Sequence, residues 1–268
     1  MGQWPIFVIS LSDAVRRRQP LLSALSANKH AFTVVDAVDG RHGVGLEFSD
    51  LIDRDLALRR LGRDMTDVEF ACALSHMRVY QMVVASGLPG ALILEDDAIL
   101  MKGFSEFLRS GVYAKARFVQ LDYGWARVWK GGVRRPNVKG AFGLARLVFN
   151  AGLATGYSIS REGCQFMLDN SVPISLPADW PCHLRPLGPL VTVPRLVQPP
   201  PSGYGSHISK ARQQAKNNAI LKGKDNSRER WIHQLLKRRR SEARNPPPWH
   251  YPYPSRFLSY WIRPDALE

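Results

Sequence analysis

The chain has 268 residues, 45% of them hydrophobic and 22% charged, with a net charge of +14. That composition excludes a disordered chain and predicts one sizeable α/β domain with an appendage. Its apolar runs fall far short of the ~18–20 residues of a membrane-spanning helix. Cys72, Cys164 and Cys182 are too few, and odd in number, for a disulfide framework, and they fit a reducing, cytoplasmic compartment. The adjacent pair Cys182-His183 lacks the spacing and the further ligands of a zinc site.

The N-terminal segment has neither a basic n-region nor a small-residue cleavage site, so it reads as a buried strand, Ile6–Leu11, and not as a signal peptide. A helix is predicted over Asp13–Asn28, with Val15, Leu21, Leu22 and Leu25 apolar. Phe32–Val35 is a second strand, followed by the turn Val38-Asp39-Gly40. This β-α-β beginning predicts an open, mainly parallel sheet flanked by helices. A short helix is predicted over 49–61. Thr66-Asp67-Val68-Glu69 spells a capping box, with Thr66 as the cap and Glu69 reaching back. The helix it opens runs to about Ser86, with Phe70, Leu74, Met77 and Val84 as its core face, and Gly87 and Pro89-Gly90 end it. Ala91–Leu94 is a strand that runs straight into Glu95-Asp96-Asp97. A helix near Phe104–Arg109 and a strand Phe118–Leu121, ending at Asp122, follow. Residues 123–153 read as a long functional loop with a hairpin. Thr155–Ile159 is a strand, Ser160 caps a helix over 161–169, and Leu190–Val197 is the last strand.

Pro199-Pro200-Pro201, Gly203 and Gly205 mark a boundary between a domain over 1–205 and an extension over 206–268. Residues 206–245 carry 12 Lys and Arg against 3 Asp and Glu. Within them Arg228–Arg240 is predicted as a helix with Trp231, Ile232, Leu235 and Leu236 on one face. Beyond it lie Trp249, Tyr251, Tyr253, Phe257, Tyr260 and Trp261. A basic amphipathic helix with interfacial aromatics suits an anionic membrane surface, where each Lys or Arg is worth ~1 kcal/mol. Nucleic acid is the poorer fit, and packing on the core is the plain alternative.

Three adjacent carboxylates after an apolar strand are costly without a cation, because like charges ~4 Å apart repel by roughly 1 kcal/mol in water and about 4 at an effective dielectric of 20. In an extended segment Glu95 and Asp97 point one way and Asp96 the other. Two same-side oxygens at a strand's C-terminal end suit a hard cation that also holds phosphates; a solvated turn is the alternative. The sequence has no P-loop, no GxGxxG fingerprint and no GxSxG elbow.

Several segments in order, over residues 5–185, carry a resemblance: FVISL with Arg16–Arg18, VVDAVDGR, CALSHMRVYQ, ALILEDDA, ATGYSISREGCQFML and PADWPCH. Together they resemble glycosyltransferase family 25, the group of lipopolysaccharide and collagen galactosyltransferases. The resemblance implies a GT-A-like fold, a Mn²⁺ or Mg²⁺ ion, a UDP-sugar donor (commonly UDP-galactose), inversion at the anomeric carbon, and a surface-glycan or lipid-linked acceptor. It implies a donor and metal role for Glu95, Asp96 and Asp97, with Asp97 and Glu95 as metal ligands. It implies an acceptor-side role for Asp179, the candidate general base. Ser10 stands where the family has Asn. Arg17, among Arg16–Arg18, is a candidate phosphate contact, Asp36 and Asp39 are candidate nucleoside contacts, and Ser75-His76 is a candidate donor contact. Asp122 is a further acid that could line the same cleft. A non-catalytic glycan- or nucleic-acid-binding protein on the same fold is a second reading, against which the intact Glu95, Asp97 and Asp179 argue; a sugar nucleotidyltransferase, which also pairs acidic residues with a metal, is a third. The nucleotidyltransferase lacks its glycine-rich loop, since Ser12–Gln19 holds no glycine.

Overall fold

A computed structural model describes residues 3–131, 142–201, 208, 210–214 and 259–264. The predicted helix Arg228–Arg240 and most of the aromatic-rich end lie outside the described residues.

The core is one seven-stranded sheet built from β1 (Ile6–Ser10), β2 (Phe32–Asp36), β3 (Gly90–Glu95), β5 (Phe118–Gln120), β7 (Gly143–Arg146), β8 (Gly156–Ser160) and β9 (Leu190–Val193). The order is β2-β1-β3-β8-β5-β9-β7. From the pairings, five strands run one way and β8 and β7 run against them. The sheet is therefore mainly parallel with antiparallel strands inserted, as the GT-A-like expectation requires. Four further short strands pair outside it, β4 (Ile99–Leu100) with β10 (Val197–Gln198) and β6 (Ala126–Trp129) with β11 (Ser259–Ile262).

Alternation along the strands sends side chains to two cores. Ile6, Val8, Leu92 and Leu94 face α1 (Val15–Ala27) and α4 (Phe104–Ser110), meeting Leu21, Leu25, Phe104 and Phe107. Phe7, Ile9 and Ile93 face the other way, toward α3 (Asp67–Ala85) and α5 (Arg161–Ser171). Both faces of β1 are thus covered, and all five of its residues are buried.

Helix α3 starts where its sequence says it should. Thr66 Oγ1 accepts from the Glu69 N–H at 3.3 Å, and Glu69 returns a carboxylate oxygen to the Thr66 N–H at 2.9 Å. Its C-terminus closes with the Leu88 N–H on the Val83 carbonyl, Gly87 taking a positive φ of 63°. The apolar stripe is wider than predicted: Val79, Tyr80 and Val83 are buried along with Phe70, Leu74 and Met77, because α3 packs against both the sheet and α5.

Three predicted elements change form. The helix over 49–61 is a 3-10 turn (Leu46–Leu51) and a separate α2 (Arg54–Leu61), divided by Asp53, whose carboxylate caps α2 by accepting from the Leu56 N–H at 2.7 Å. The strand over 190–197 is broken at Pro194, which has no N–H for a ladder, into β9 and β10. The expected hairpin within 123–153 does not form from β6 and β7: β6 takes β11 as its partner and β7 takes β9, and one bridge, Val128 to Leu147, joins the two. No helix among the described residues is long and apolar enough to cross a membrane.

Candidate active site

The C-terminal ends of β1 and β3 open into a cleft of about 650 Å³. It is closed on one side by α3 and the loop after β2, and on the other by residues 153–155 and 177–179. Parallel neighbours β1 and β3 put Ser10 and Asp96 side by side, and the Ser10 hydroxyl donates to Asp96 Oδ2 at 2.9 Å. Arg17, on the first turn of α1, bridges the acids, with Nε 3.2 Å from Asp96 Oδ1 and Nη2 2.5 Å from Asp97 Oδ2. Both oxygens of Asp96 are therefore engaged within the protein. Asp97 Oδ1 is buried without a hydrogen-bond partner. Glu95 turns its carboxylate toward α3, with Oε1 3.6 Å from His76 Nε2.

Burial, only partly offset by Arg17 and Ser10, lifts Asp96 to about 6. Burial and then the Glu95 charge also raise Asp97. The cluster thus holds more negative charge than its protein partners neutralise. An unpartnered Asp97 oxygen beside the accessible Glu95 carboxylate is the oxygen-only donor set that fits a hard divalent cation. The strand ends at Glu95 and Asp96-Asp97 stand in a turn, so strand alternation does not set their directions: Arg17 reaches both aspartates, while Glu95 turns to α3.

Ser75 lines the same cleft, but its hydroxyl is committed: it accepts from the Val38 N–H at 2.8 Å and donates to the Ala71 carbonyl at 2.7 Å. It pins the loop after β2 onto α3. Gly40 completes that contact, since a Cβ there would sit 2.5 Å from the Asp67 carbonyl oxygen. His76 is held by Tyr157, whose hydroxyl is 2.7 Å from Nδ1. Asp39 lies at the rim with its carboxylate bound by Arg41, which also reaches Asp13. The Arg41 hydrogen bonds hold Asp39 down at about 2. Asp36 is exposed and does not line the cleft; its backbone carbonyl accepts from Arg78 at 2.6 Å.

Asp179 faces the cluster across the cleft. Its turn is anchored by Trp180, whose Nε1–H donates to the Ala151 carbonyl at 2.6 Å and whose ring stands edge-on to Phe118 and Tyr157. Asp179 is exposed on the cleft wall, with neighbouring residues displacing part of its water. That partial desolvation, and then the Glu95 charge, raises its pKa. Asp122 does not line the cleft: it is fully buried at the end of β5, with Arg195 Nη1 3.8 Å away.

Sequence reasoning missed three contributors. Trp180 sits inside the quoted PADW segment, yet nothing in the string marks it as the anchor of Asp179. Lys210 and Arg212, from the start of the basic extension, line the cleft, and Arg212 reaches Glu69 Oε1 at 2.7 Å. The basic composition of 206–245 was visible, but not that its first turn returns to the site.

The model of the family described as "Glycosyltransferase family 25 (LPS biosynthesis protein)" matches residues 3–181. The chain is similar to the lacto-N-neotetraose biosynthesis glycosyltransferase LgtE of Neisseria meningitidis serogroup B, at 29% identity over 185 residues, which covers 65% of this chain and 62% of the relative. It is similar to procollagen galactosyltransferase 1 of Danio rerio, at 29% over 182 residues, covering 63% of this chain and 29% of the relative. It is also similar to the inactive glycosyltransferase 25 family member 3 of Mus musculus, at 35% over 112 residues, covering 39% and 18%. The chain thus spans less than two thirds of the length of these relatives. The family match takes in the strand ends, the capped helix and the PADW turn that build the cleft, and the chain belongs to glycosyltransferase family 25.

Proposed function

We propose that this chain transfers a hexosyl group from a nucleoside-diphosphate sugar, UDP-galactose being the donor that the galactosyltransferase relative suggests, onto a surface-glycan acceptor with inversion. The observation that carries the reading is the pairing in one cleft of an incompletely neutralised acidic cluster with a separate carboxyl, Asp179, on the opposite wall.

Asp97 and Glu95 would hold a Mn²⁺ or Mg²⁺ ion, which when bound supplies Lewis-acid stabilisation of the leaving diphosphate. Asp96 keeps its two oxygens on Ser10 and Arg17 and so sets the position of its neighbours. Arg17 is the nearest guanidinium to the cluster and adds positive charge where the departing phosphate develops negative charge. Asp179 takes the proton of the acceptor hydroxyl as that oxygen bonds to the anomeric carbon and the carbon–phosphate oxygen bond breaks. Its raised pKa makes it a better base than a free aspartate. Attack from the wall opposite the leaving group inverts the centre. Ser75 and Gly40 act at one remove, by holding the loop that carries Asp39 at the rim. The acceptor class, lipopolysaccharide or a lipid-linked glycan, and contact of the basic extension with an anionic membrane rest on the relatives' names and on the composition of 206–245.

A panel of nucleotide sugars, each with and without Mn²⁺, tests the reading by thermal shift and by donor hydrolysis. A Mn²⁺-dependent shift with a UDP-sugar, together with turnover, is expected. The inactive relative favours one second reading, a non-catalytic binding protein. No turnover, and no Mn²⁺-dependent thermal shift with UDP, would defeat the transferase reading and support that one instead.

A further inference from the structure

We propose that Cys72, His76 and Glu95 form a second cation site, for a borderline-soft divalent ion of the zinc type, at the foot of the cleft. Cys72 and His76 are four residues apart on α3 and so share a face. Glu95, the last residue of β3, comes up against that face and turns Oε1 to it, which leaves Oε2 for the cation that Asp97 would hold. Its Oε1 is 4.0 Å from Cys72 Sγ and 3.6 Å from His76 Nε2, and the three ligand atoms all lie within 4.8 Å of one another. Tetrahedral zinc with bonds of ~2.3 Å to sulfur and ~2.0–2.1 Å to nitrogen or oxygen separates its ligands by roughly 3.4–3.6 Å. Small side-chain rotations close the difference.

The histidine supplies the independent sign. Its side chain is 3% exposed, yet Nε2 has no hydrogen-bond partner. The ring cannot turn to find one easily. Nδ1 is bound to the Tyr157 hydroxyl at 2.7 Å, that hydroxyl is 2.7 Å from the Tyr80 hydroxyl, and the imidazole stacks on the Tyr157 ring at 5.7 Å. A phenol holding the far nitrogen while the near one faces a thiol and a carboxylate is the outer-shell arrangement that orients a metal-binding imidazole. A donor set of sulfur, nitrogen and one oxygen selects zinc or cobalt over the hard ions suited to Asp97. Three protein ligands leave a fourth position toward the cleft. Binding exchanges the Cys72 thiol proton, which passes to solvent, for a metal–sulfur bond.

The site stands whether or not the chain transfers sugar, and its test uses the metals alone. Full-length, metal-free protein is titrated with Co²⁺ and followed by absorption. One Co²⁺ per chain is expected, with a thiolate-to-cobalt charge-transfer band and the intense visible bands of tetrahedral geometry, all displaced by Zn²⁺. Cys72→Ser should abolish the charge-transfer band, His76→Gln should weaken Co²⁺ binding by about 10-fold or more, and Cys182→Ser should leave the wild-type spectrum. Lack of a charge-transfer band in the wild-type protein overturns the proposal, as does a band that survives in Cys72→Ser or vanishes in Cys182→Ser. The Mn²⁺-dependent UDP shift is read separately, so failure of the transferase reading leaves this result untouched.

Discussion

Strands β3 and β5 run in the same direction with β8 between them, and each leads into aspartate, Asp96 directly after β3 and Asp122 after one intervening residue, Leu121, beyond the end of β5. At the end of β3 the acids meet a cleft, Arg17 and the Ser10 hydroxyl. At the end of β5, Asp122 meets the segment that follows Pro194: the Leu196 and Val197 N–H groups both donate to the Leu121 carbonyl and seal the strand end. Burial then pushes Asp122 up to about 7, and Arg195 at 3.8 Å is too far to offset it by a direct hydrogen bond. An acid at a sheet's C-terminal edge is therefore not a site by itself. What distinguishes the two strand ends is whether another part of the chain covers them.

The sharpest way to break this comparison is Asp97→Ala. If the β3 end holds the donor's cation, transfer should fall by about 10³-fold or more, several kcal/mol of transition-state stabilisation, with loss of the Mn²⁺-dependent UDP thermal shift. A variant that binds UDP and Mn²⁺ like wild type would dismiss the ligand assignment. Asp179→Asn should lower kcat by about 10²-fold or more while leaving UDP binding in place. In the wild type, kcat should drop as pH falls through the raised pKa of Asp179, because the base must be unprotonated. A pH profile unchanged by the substitution would remove Asp179 from the proton path.

Asp122→Asn probes the other strand end and should change transfer by no more than a few-fold; a loss as large as that of Asp97→Ala would erase the distinction drawn here. Its signature belongs to stability. With a folded pKa of about 7 against an ordinary value of 3.8, the folded state holds a proton that the unfolded state has lost across that window. The contribution of Asp122 is present below about pH 4 and is lost as pH rises through about 7. The wild-type Tm should therefore decline relative to the Asp122→Asn Tm between those pH values, and parallel curves would count against the burial argument. The smallest effect is Thr66→Ala, which removes half of the capping box that starts α3. It should cost about 1 kcal/mol, lowering Tm by about 2–4 °C, with UDP affinity unchanged.

The strand-and-helix alternation, the capping box and the acidic run after β3 were legible because each is a local signal: a period of two, a cap three residues from its partner, charge after an apolar strand. Those signals, with the ordered family segments, carried the mainly parallel sheet and the cluster Glu95-Asp96-Asp97. They could not say that Ser75 would spend its hydroxyl on the loop after β2, that Asp36 would face outward, or that β6 would take its partner from residues 259–262. The family segments put Asp97 and Glu95 forward as cation ligands, but no local signal said which protein groups would reach each carboxylate. Packing decided that, because those groups come from distant parts of the chain. Ser10 and Arg17, far from it in the chain, occupy Asp96; no donor reaches one oxygen of Asp97; and α3 presents Cys72 and His76 to Glu95.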